Sequence, residues 1–295
     1  MRFGVVHNPI AGAGARARAQ GSMVATLVSI AAAEMAADAT VVVSDRPGGG
    51  RDAARRLLDA GCDIVVAWGG DGTVNEVASV LAGTPVRLAI VPAGSGNGLA
   101  LELGIPRDPR RALLRLATGD SRTIDLGVLN DRVFVNVAGF GFDAHVATRF
   151  NTMSSSRGFL RYVRLVLEEL PRYESKRYRV EWDGSATVEE ALIVACANSR
   201  QYGNGARLAP RASLTDGELD LVIVRPTSLL RDLWRARRFF MGGLDRDPGV
   251  TMGRFRDLRI RGECELSAHV DGEPVPGAGS ECAVSVRPSA LRVCV

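Results

Sequence analysis

Lysine is almost missing from this chain. Lys176 is the sole one among 37 basic residues, so a Walker A loop, whose lysine reaches the β- and γ-phosphates, is excluded, and no GxxxxGK[ST] run occurs. Any phosphate must be met by backbone amides, arginine or a metal. Cysteine is scarce too. Cys62, Cys196, Cys264, Cys282 and Cys294 are an odd number, well spaced and without a CxxC pair, which predicts reduced core thiols in a cytosolic protein rather than a disulfide framework. No apolar run approaches the roughly 20 residues a spanning helix needs. The opening MRFGVVHNP enters a strand at once, with no signal peptide expected. Membrane contact is therefore expected to be peripheral. Repeats, low-complexity tracts and a strong basic tail are absent, so nucleic acid is not an expected partner, whereas a basic patch under a net charge of +4 would suit anionic lipid.

With 46% hydrophobic and 24% charged residues in 295, the chain reads as a soluble globular protein with room for two domains. Its organising stretch is CDIVVAWGGDGTVNEVASV, residues 62–80. The apolar run 64–68 stops at Gly69-Gly70-Asp71-Gly72-Thr73, after which Val74, Val77, Ala78 and Leu81 recur at helical spacing. This predicts a buried strand, a tight turn and a helix start. The glycines are expected to take positive φ and to leave main-chain N–H groups open to a ligand, at a helix N-terminus that favours phosphate. Asp71 would repel a phosphate there unless a cation sat between them. Mg²⁺, which binds a few carboxylates together with phosphates and waters, suits that place. A second loop of the same kind, Ala93-Gly94-Ser95-Gly96-Asn97-Gly98, follows the apolar strand in LAIVPAGSGNGLAL. Two such strand ends would meet at one edge of a parallel sheet, where ligands of α/β folds bind.

Residues 2–7 form another apolar strand, ending at Asn8-Pro9 and followed by the small-residue loop 11–14. Residues 23–39 are alanine-rich and helical. A strand at 40–43 ends at Ser44, whose hydroxyl is placed either to cap a helix beginning near Asp52 or to meet a nucleotide. Residues 109–117 predict a helix with Arg107, Arg110, Arg111 and Arg115 on a solvated basic face, and Asp125 follows in TIDLGVLN. This alternation argues for an α/β domain over residues 1–126, a parallel sheet with helices on both faces. From 127 to 295 the texture changes. DRVFVNVAGFGFDAHV, YRVEWDG, EEALIVACAN, ELDLVIVRP and RFRDLRIRGE are short strands separated by turn residues, which describe a mainly antiparallel β-sandwich whose last strand is free to return to the first domain. Helices interrupt it at 157–169 and 229–241. The second sets Leu233, Trp234, Phe239, Phe240 and Met241 beside Arg231, Arg235, Arg237 and Arg238, which suits either packing on the sandwich or seating at an anionic bilayer.

GGDGTVNEV at 69–77, PAGSGNGLA at 92–100 and VDGE at 270–273, in that order, resemble the diacylglycerol kinase catalytic family, which holds bacterial lipid kinases, sphingosine kinases and ceramide kinases. GGDGT alone is shared with NAD kinases and phosphofructokinases; the resemblance covers nearly the whole chain. It implies an NAD kinase/phosphofructokinase-like first domain, and transfer of the γ-phosphate of ATP, with Mg²⁺, to a lipid hydroxyl in a cleft between the two domains. Nucleotide contacts would fall on Asn8, Gly69, Gly70, Asp71, Gly72, Thr73, Asn75, Gly94, Ser95 and Asn97, with Ser44 as a further candidate. Asp216-Gly217 in ASLTDGELD reads by itself as a turn. The resemblance implies a structural Mg²⁺ there, held by the Asp216 side chain and the main-chain oxygens of Ser213 and Glu218. Glu273 would be the catalytic carboxylate that accepts or orients the hydroxyl proton. Asp71 would act on the phosphates through metal and water, with Asp125 the nearest candidate to share that role or to meet the lipid.

The chain departs from the family at two places. Gly98 stands where many bacterial members carry an aspartate, which removes a carboxylate from the metal network and brings the loop closer to sphingosine kinases. In GFGFDAHV, residues 139–146, His145 stands where sphingosine kinases carry an acid suited to an ammonium, so it points to a neutral lipid such as ceramide or diacylglycerol ahead of a sphingoid base, with Asp143 as a further lipid-side candidate. A hydrogen-bonded structural role is the other reading of His145. The rival functions are a soluble-substrate kinase of the NAD kinase type, which lacks the PAGSGN and VDGE pair, and a catalytically weakened nucleotide or lipid sensor. The expected setting is cytoplasmic, peripheral on the inner face of the membrane, with the oligomeric state open between monomer and homodimer.

Overall fold

The computed structural model describes residues 1–11, 20–46, 48–152, 159–203 and 205–295. Most of the loop at 11–14, and the start of the helix expected at 157, lie outside the described residues. The chain divides into two compact units. Among the described residues one holds Met1–Ile124 and Ser289–Val295, the other residues 125–152 and 159–288.

The first unit is built on strands β1 (Arg2–His7), β2 (Asp38–Val43), β3 (Ile64–Gly69) and β4 (Arg87–Pro92), with helices α1 (Gln20–Glu34), α2 (Gly49–Asp59), α3 (Asp71–Leu81), α4 (Gly98–Glu102) and α5 (Pro109–Thr118). The strands are parallel. β1 lies between β2 and β3, and β3 lies beside β4. Every residue of β3 is buried, which is why its sequence is one apolar run rather than an alternation: helices cover both faces of such a strand. α3 buries Val74, Val77, Ala78 and Leu81, and α2 buries Ala53, Ala54 and Leu57. α5 is bounded by local signals at both ends. Asp108 accepts the Arg111 N–H at 2.8 Å, Pro109 opens the first turn, and Gly119 closes it at φ 72°. At the end of the chain Arg292 and Val293 pair in parallel with Arg87 and Leu88 of β4.

The second unit begins within β5 (Ser121–Leu129). Its elements are β6 (Arg132–Phe134), β7 (Val137–Gly141), α6 (Phe142–Thr152), α7 (Phe159–Glu169), β8 (Lys176–Trp182), β9 (Ser185–Ala191), β10 (Ile193–Ala197), β11 (Gln201–Gly203), β12 (Ala206–Arg207), β13 (Leu219–Val224), α8 (Leu229–Ala236), α9 (Arg238–Met241), β14 (Val250–Phe255), β15 (Asp257–Gly262), β16 (Ala268–Val270), β17 (Glu273–Val275) and β18 (Glu281–Cys294). One antiparallel sheet runs β14-β13-β10-β7-β16-β17. A second antiparallel set pairs β18 with β15, β15 with β8 and β8 with β9. Phe140, Val194 and Leu221 from the first meet Val180, Ile260 and Val284 from the second in one buried cluster that also takes Phe134 and Phe255. That is a sandwich core, each such side chain contributing about 1.5–3 kcal/mol by its burial.

Several local expectations are revised. Helix α1 ends at Glu34 and Asp38 already belongs to β2, so the alanine-rich run overstates the helix. GFGFDAHV is not a single strand: β7 stops at Gly141, whose φ of 94° suits glycine, and α6 begins at Phe142. Ser44 caps nothing, because α2 starts after Gly48 at φ 77° with no side-chain cap. The helix expected at 229–241 is divided at Arg237. None of Gly69, Gly70, Gly72, Gly94, Gly96 and Gly98 has positive φ. Among the described residues no helix is long and apolar enough to cross a membrane.

Candidate active site

The strand order β2-β1-β3-β4 reverses direction beside β1, and ligands of open α/β sheets bind outside the carboxyl ends of strands at such a point. Asn8 follows β1, Gly70 and Asp71 follow β3, and the 93–97 loop follows β4. The Asn8 amide donates to the Thr73 hydroxyl at 3.0 Å. The Asp71 carboxylate accepts the N–H of Asn97 at 2.8 Å and that of Gly98 at 2.6 Å, one on each oxygen. Asn97 sits at φ 54° and closes its own loop, accepting the Gly94 N–H at 2.9 Å and donating to the Gly94 carbonyl at 2.7 Å. The motif glycines serve close approach rather than unusual backbone angles. A Cβ on Gly94 would lie 2.6 Å from the Cα of Gly70, and one on Gly69 would lie 2.4 Å from the Thr73 hydroxyl oxygen. Asn8, Gly69, Gly70, Asp71, Thr73, Gly94 and Asn97 thus form one constellation. Ser44 is buried at the end of the neighbouring β2, against Gly49. Gly72 lies in the first turn of α3, Asn75 is buried within that helix, and Ser95 is exposed at the loop tip.

Beneath this constellation lies His7, 3% exposed, its Nε2 buried without a hydrogen-bond partner and its ring edge-on to Trp68. Burial pushes its pKa down, so it is a neutral imidazole.

In the second unit the candidate metal loop is shaped from behind. Asp125, 2% exposed, accepts the Gly217 N–H at 2.7 Å and donates its own N–H to the Leu214 carbonyl at 2.7 Å. Its main-chain oxygen is held in turn by the Asn198 amide at 2.8 Å. Asp216 accepts the Glu218 N–H at 3.3 Å, and Arg254 lies 3.7 Å from Asp216 and 3.6 Å from Glu218. Among the described residues no three His, Cys, Asp or Glu side chains group as a metal cage. The candidate set of one carboxylate with the carbonyls of Ser213 and Glu218 is all hard oxygen, the donor chemistry that Mg²⁺ accepts. On β13, Asp220 is pushed up to about 6 by burial, an effect that Arg254 counters and Asp216 and Glu218 reinforce.

Glu273 is exposed at the start of β17, after the two-residue turn Asp271-Gly272. Both turn residues have positive φ, 49° and 83°, the geometry that suits the twist of a hairpin. The Asp271 carboxylate accepts the N–H groups of Val135, Asn136 and Val137 at 2.8–3.0 Å, so it holds the hairpin to that segment. The Asn151 amide donates to the Gly272 carbonyl at 2.9 Å.

The two lipid-side candidates on α6 part company, as residues two apart on a helix must. Asp143, 4% exposed, accepts from the Tyr202 hydroxyl at 3.2 Å and from His269 Nε2 at 3.1 Å. His269 Nδ1 accepts the Gly272 N–H at 3.1 Å, which places the imidazole proton on Nε2, facing Asp143. Burial first, then the Asp143 charge, pushes the Tyr202 hydroxyl well above the ordinary tyrosine range. His145 instead meets Glu169 at 2.7 Å, and Arg149 takes the other oxygen of that carboxylate at 3.0 Å. Those two hydrogen bonds, His145 foremost, hold the Glu169 pKa down. Tyr202, His269, Asn151 and Asn198 had no signal in the sequence, since each partner lies far along the chain. The sole pointer was the AHVDGE run itself, which sets a histidine four residues before Glu273.

Comparison with known proteins follows the same division. A model of the diacylglycerol kinase catalytic domain matches residues 2–129, and a model of the YegS C-terminal NAD kinase beta sandwich-like domain matches residues 136–295. A diacylglycerol kinase of Mycobacterium tuberculosis is 33% identical over 97% of this chain and 92% of its own length. A protein of Salmonella typhimurium named "Probable lipid kinase YegS" is 31% identical over 82% and 80%. A crystal structure of a diacylglycerol kinase from Bacillus anthracis superposes with a TM-score of 0.74 at 19% identity, covering 99% of this chain and 96% of that one, a likeness of fold. With both family models matched in order and an identity above 30% along nearly the whole length, the chain belongs to the diacylglycerol kinase family of lipid kinases.

Proposed function

We propose that this chain transfers the γ-phosphate of ATP to the primary hydroxyl of a neutral lipid, diacylglycerol or ceramide ahead of a sphingoid base. The observation that carries the reading is the Asp71 carboxylate binding Asn97 and Gly98. It joins two glycine loops at adjacent parallel strand ends, leaving the first N–H groups of α3 without intrahelical partners. In this reading residues 1–126 bind the nucleotide, with Asn8, Ser44, Gly69, Gly70, Asp71, Gly72, Thr73, Asn75, Gly94, Ser95 and Asn97 as its contacts, and residues 127–295 receive the lipid.

Positioning and electrostatics dominate phosphoryl transfer. Backbone N–H groups at the start of α3 and those of Ser95 and Gly96 bind phosphate oxygens, the N–H groups of Gly94 and Asn97 being spent within the loops. Glu273 takes the hydroxyl proton as the oxygen attacks the γ-phosphorus, whose bond to the bridging oxygen breaks so that ADP leaves. Mg²⁺, when bound, would supply charge neutralisation; Asp71 would meet it through water, and Asp216 with the Ser213 and Glu218 carbonyls would hold a structural ion. Asp125 shapes that second loop through Gly217 rather than by offering its charge to solvent. A neutral head group is supported by Glu169, whose two carboxylate oxygens are already taken by His145 and Arg149, which leaves it poorly suited to an ammonium. Cytoplasmic residence, with peripheral contact at the inner membrane face, is where ATP and such a lipid meet.

The test is transfer of labelled γ-phosphate from ATP and Mg²⁺ to diacylglycerol, ceramide and sphingosine in mixed micelles, with NAD as the soluble rival. Incorporation into diacylglycerol or ceramide is expected. Incorporation into NAD alone, or nucleotide binding without turnover on any lipid, sinks the reading.

A further inference from the structure

Helix α8 is inside out. A surface helix ordinarily buries its apolar face and shows its charges to water; here Arg235 and Asp232 face the protein. Arg235 is 2% exposed, with Nε and Nη2 each 3.2 Å from the Asp247 carboxylate and Nη1 bonded to Asp232 at 3.0 Å and to the Arg225 carbonyl at 2.8 Å. Asp232 also accepts the N–H and the hydroxyl of Thr227. A buried arginine is tolerable only when paired and hydrogen-bonded in this way. The network ties α8 to the sheet by its polar side, and Phe239 of α9 packs on the neighbouring apolar cluster.

What remains outside is apolar. Leu229 is 42% exposed, Leu230 80%, Trp234 53%, Phe240 50% and Met241 75%. Arg237, between the two helices, has helical angles of φ −64° and ψ −31°, so the rotation carries through. Leu230, Trp234, Arg237 and Met241 therefore recur at i, i+4, i+7 and i+11 on one face. Arg231 and Arg237 are exposed with them, and Arg238 stacks over the Trp234 ring at 4.5 Å while pairing with Asp247. The acid of this stretch, Asp232, is turned inward. Scattered apolar side chains are normal on a surface, whereas a grouped set is not. Arg235 belongs to the anchor, whereas the sequence alone groups it with Arg231, Arg237 and Arg238.

We propose that α8 and α9 seat this chain on an anionic phospholipid surface, with Leu230, Trp234, Phe240 and Met241 at the acyl boundary and Arg231 and Arg237 at the lipid phosphates. The choice of a bilayer over a protein partner rests on the lipid-kinase reading and on the excess of positive charge around the apolar side chains. A second copy of the chain is the competing occupant.

The experiment is flotation of the full chain with vesicles of phosphatidylcholine and with vesicles in which part of it is replaced by phosphatidylglycerol. Binding to the anionic vesicles is expected, with Trp234 emission shifting to the blue and quenched by brominated acyl chains. Arg231→Glu/Arg237→Glu lowers that binding by more than about 25-fold, since each basic residue near an anionic surface contributes about fivefold. Leu230→Asp/Met241→Asp removes the Trp234 shift. Both variants should keep the parent unfolding midpoint, and phosphorylation of a water-soluble short-chain diacylglycerol should be unchanged in them. No binding by the parent chain, equal binding by both variants, or a parent dimer made monomeric by Leu230→Asp/Met241→Asp with vesicle binding intact overturns the proposal. Vesicle binding as expected, with no phosphorylation of any lipid by the parent, overturns the kinase reading and leaves the surface standing.

Discussion

Asp71 and Asp271 both fold a loop by drawing main-chain N–H groups onto a carboxylate, yet they are supported in opposite ways. Asp71 grips the neighbouring loop through two N–H groups where glycines let the backbones nearly touch. Asp271 grips three N–H groups beneath a hairpin whose other contacts are polar side chains, Asn151 and His269 with Asp143 and Tyr202 behind it. In the first unit the shape comes from the absence of side chains, in the second from a buried network of them. A glycine loop therefore tolerates no added atom, whereas a polar network tolerates no missing one.

Glu273→Gln and Asp71→Asn separate chemistry from architecture. Exposed Glu273 should lose turnover by roughly 10²–10⁴-fold with a smaller fall in the thermal unfolding midpoint than Asp71→Asn brings. Asp71→Asn turns one acceptor into a donor facing an N–H, so turnover should fall together with stability, the latter by about 1–3 kcal/mol. Equal loss of stability in both would erase the distinction. Gly94→Ala comes next. Its Cβ meets the backbone of Gly70, which cannot rotate away, so about 1–3 kcal/mol of stability and at least roughly tenfold in ATP affinity should go, as loop apposition sets the effective concentration of phosphate donors. Calorimetric titration with ATP checks it. His269→Ala is the counterpart, taking one donor from Asp143 and the acceptor from the Gly272 N–H. The unfolding midpoint and turnover should drop with ATP affinity unaltered, and an equal loss of ATP affinity would deny the two loops their independence.

These differences also set what could be read in advance. GGDGT and GSGN were visible because glycine-rich turns after apolar runs have a local signature, and β3 and α3 followed from hydrophobic period alone. The reason for those glycines was misread, since close approach between residues 70 and 94 is a property of two loops and not of either. His269 and Asp143 stand 126 positions apart in the sequence, and nothing near either one announces the other. The Arg235 anchor was hidden for the same reason, because a run of arginines looks alike whether one of them is buried or none is.

The effects of pH fall on stability alone, and they run in opposite directions in the two units. The depressed pKa of His7 means that the unfolded chain binds its proton first, so the first unit should lose stability as pH falls below the ordinary histidine range, and His7→Gln should blunt that loss. Asp220, pushed up to about 6 from 3.8, keeps its proton longer when folded. Its cost therefore grows as pH rises through that window and is fully present above it. Asp220→Asn should add about 1–3 kcal/mol near neutral pH and nothing in strong acid, checked by unfolding midpoints across pH.

The pairing of Arg292 and Val293 with β4 carries a consequence for biosynthesis. During synthesis the ribosome releases residues 1–124 long before the strand that completes their sheet exists, so until then the flank of β4 is an open template for unwanted pairing. Shortening the chain by its final few residues would leave that flank permanently bare, and aggregation of the nascent product, more than loss of catalysis, is the defect it should bring.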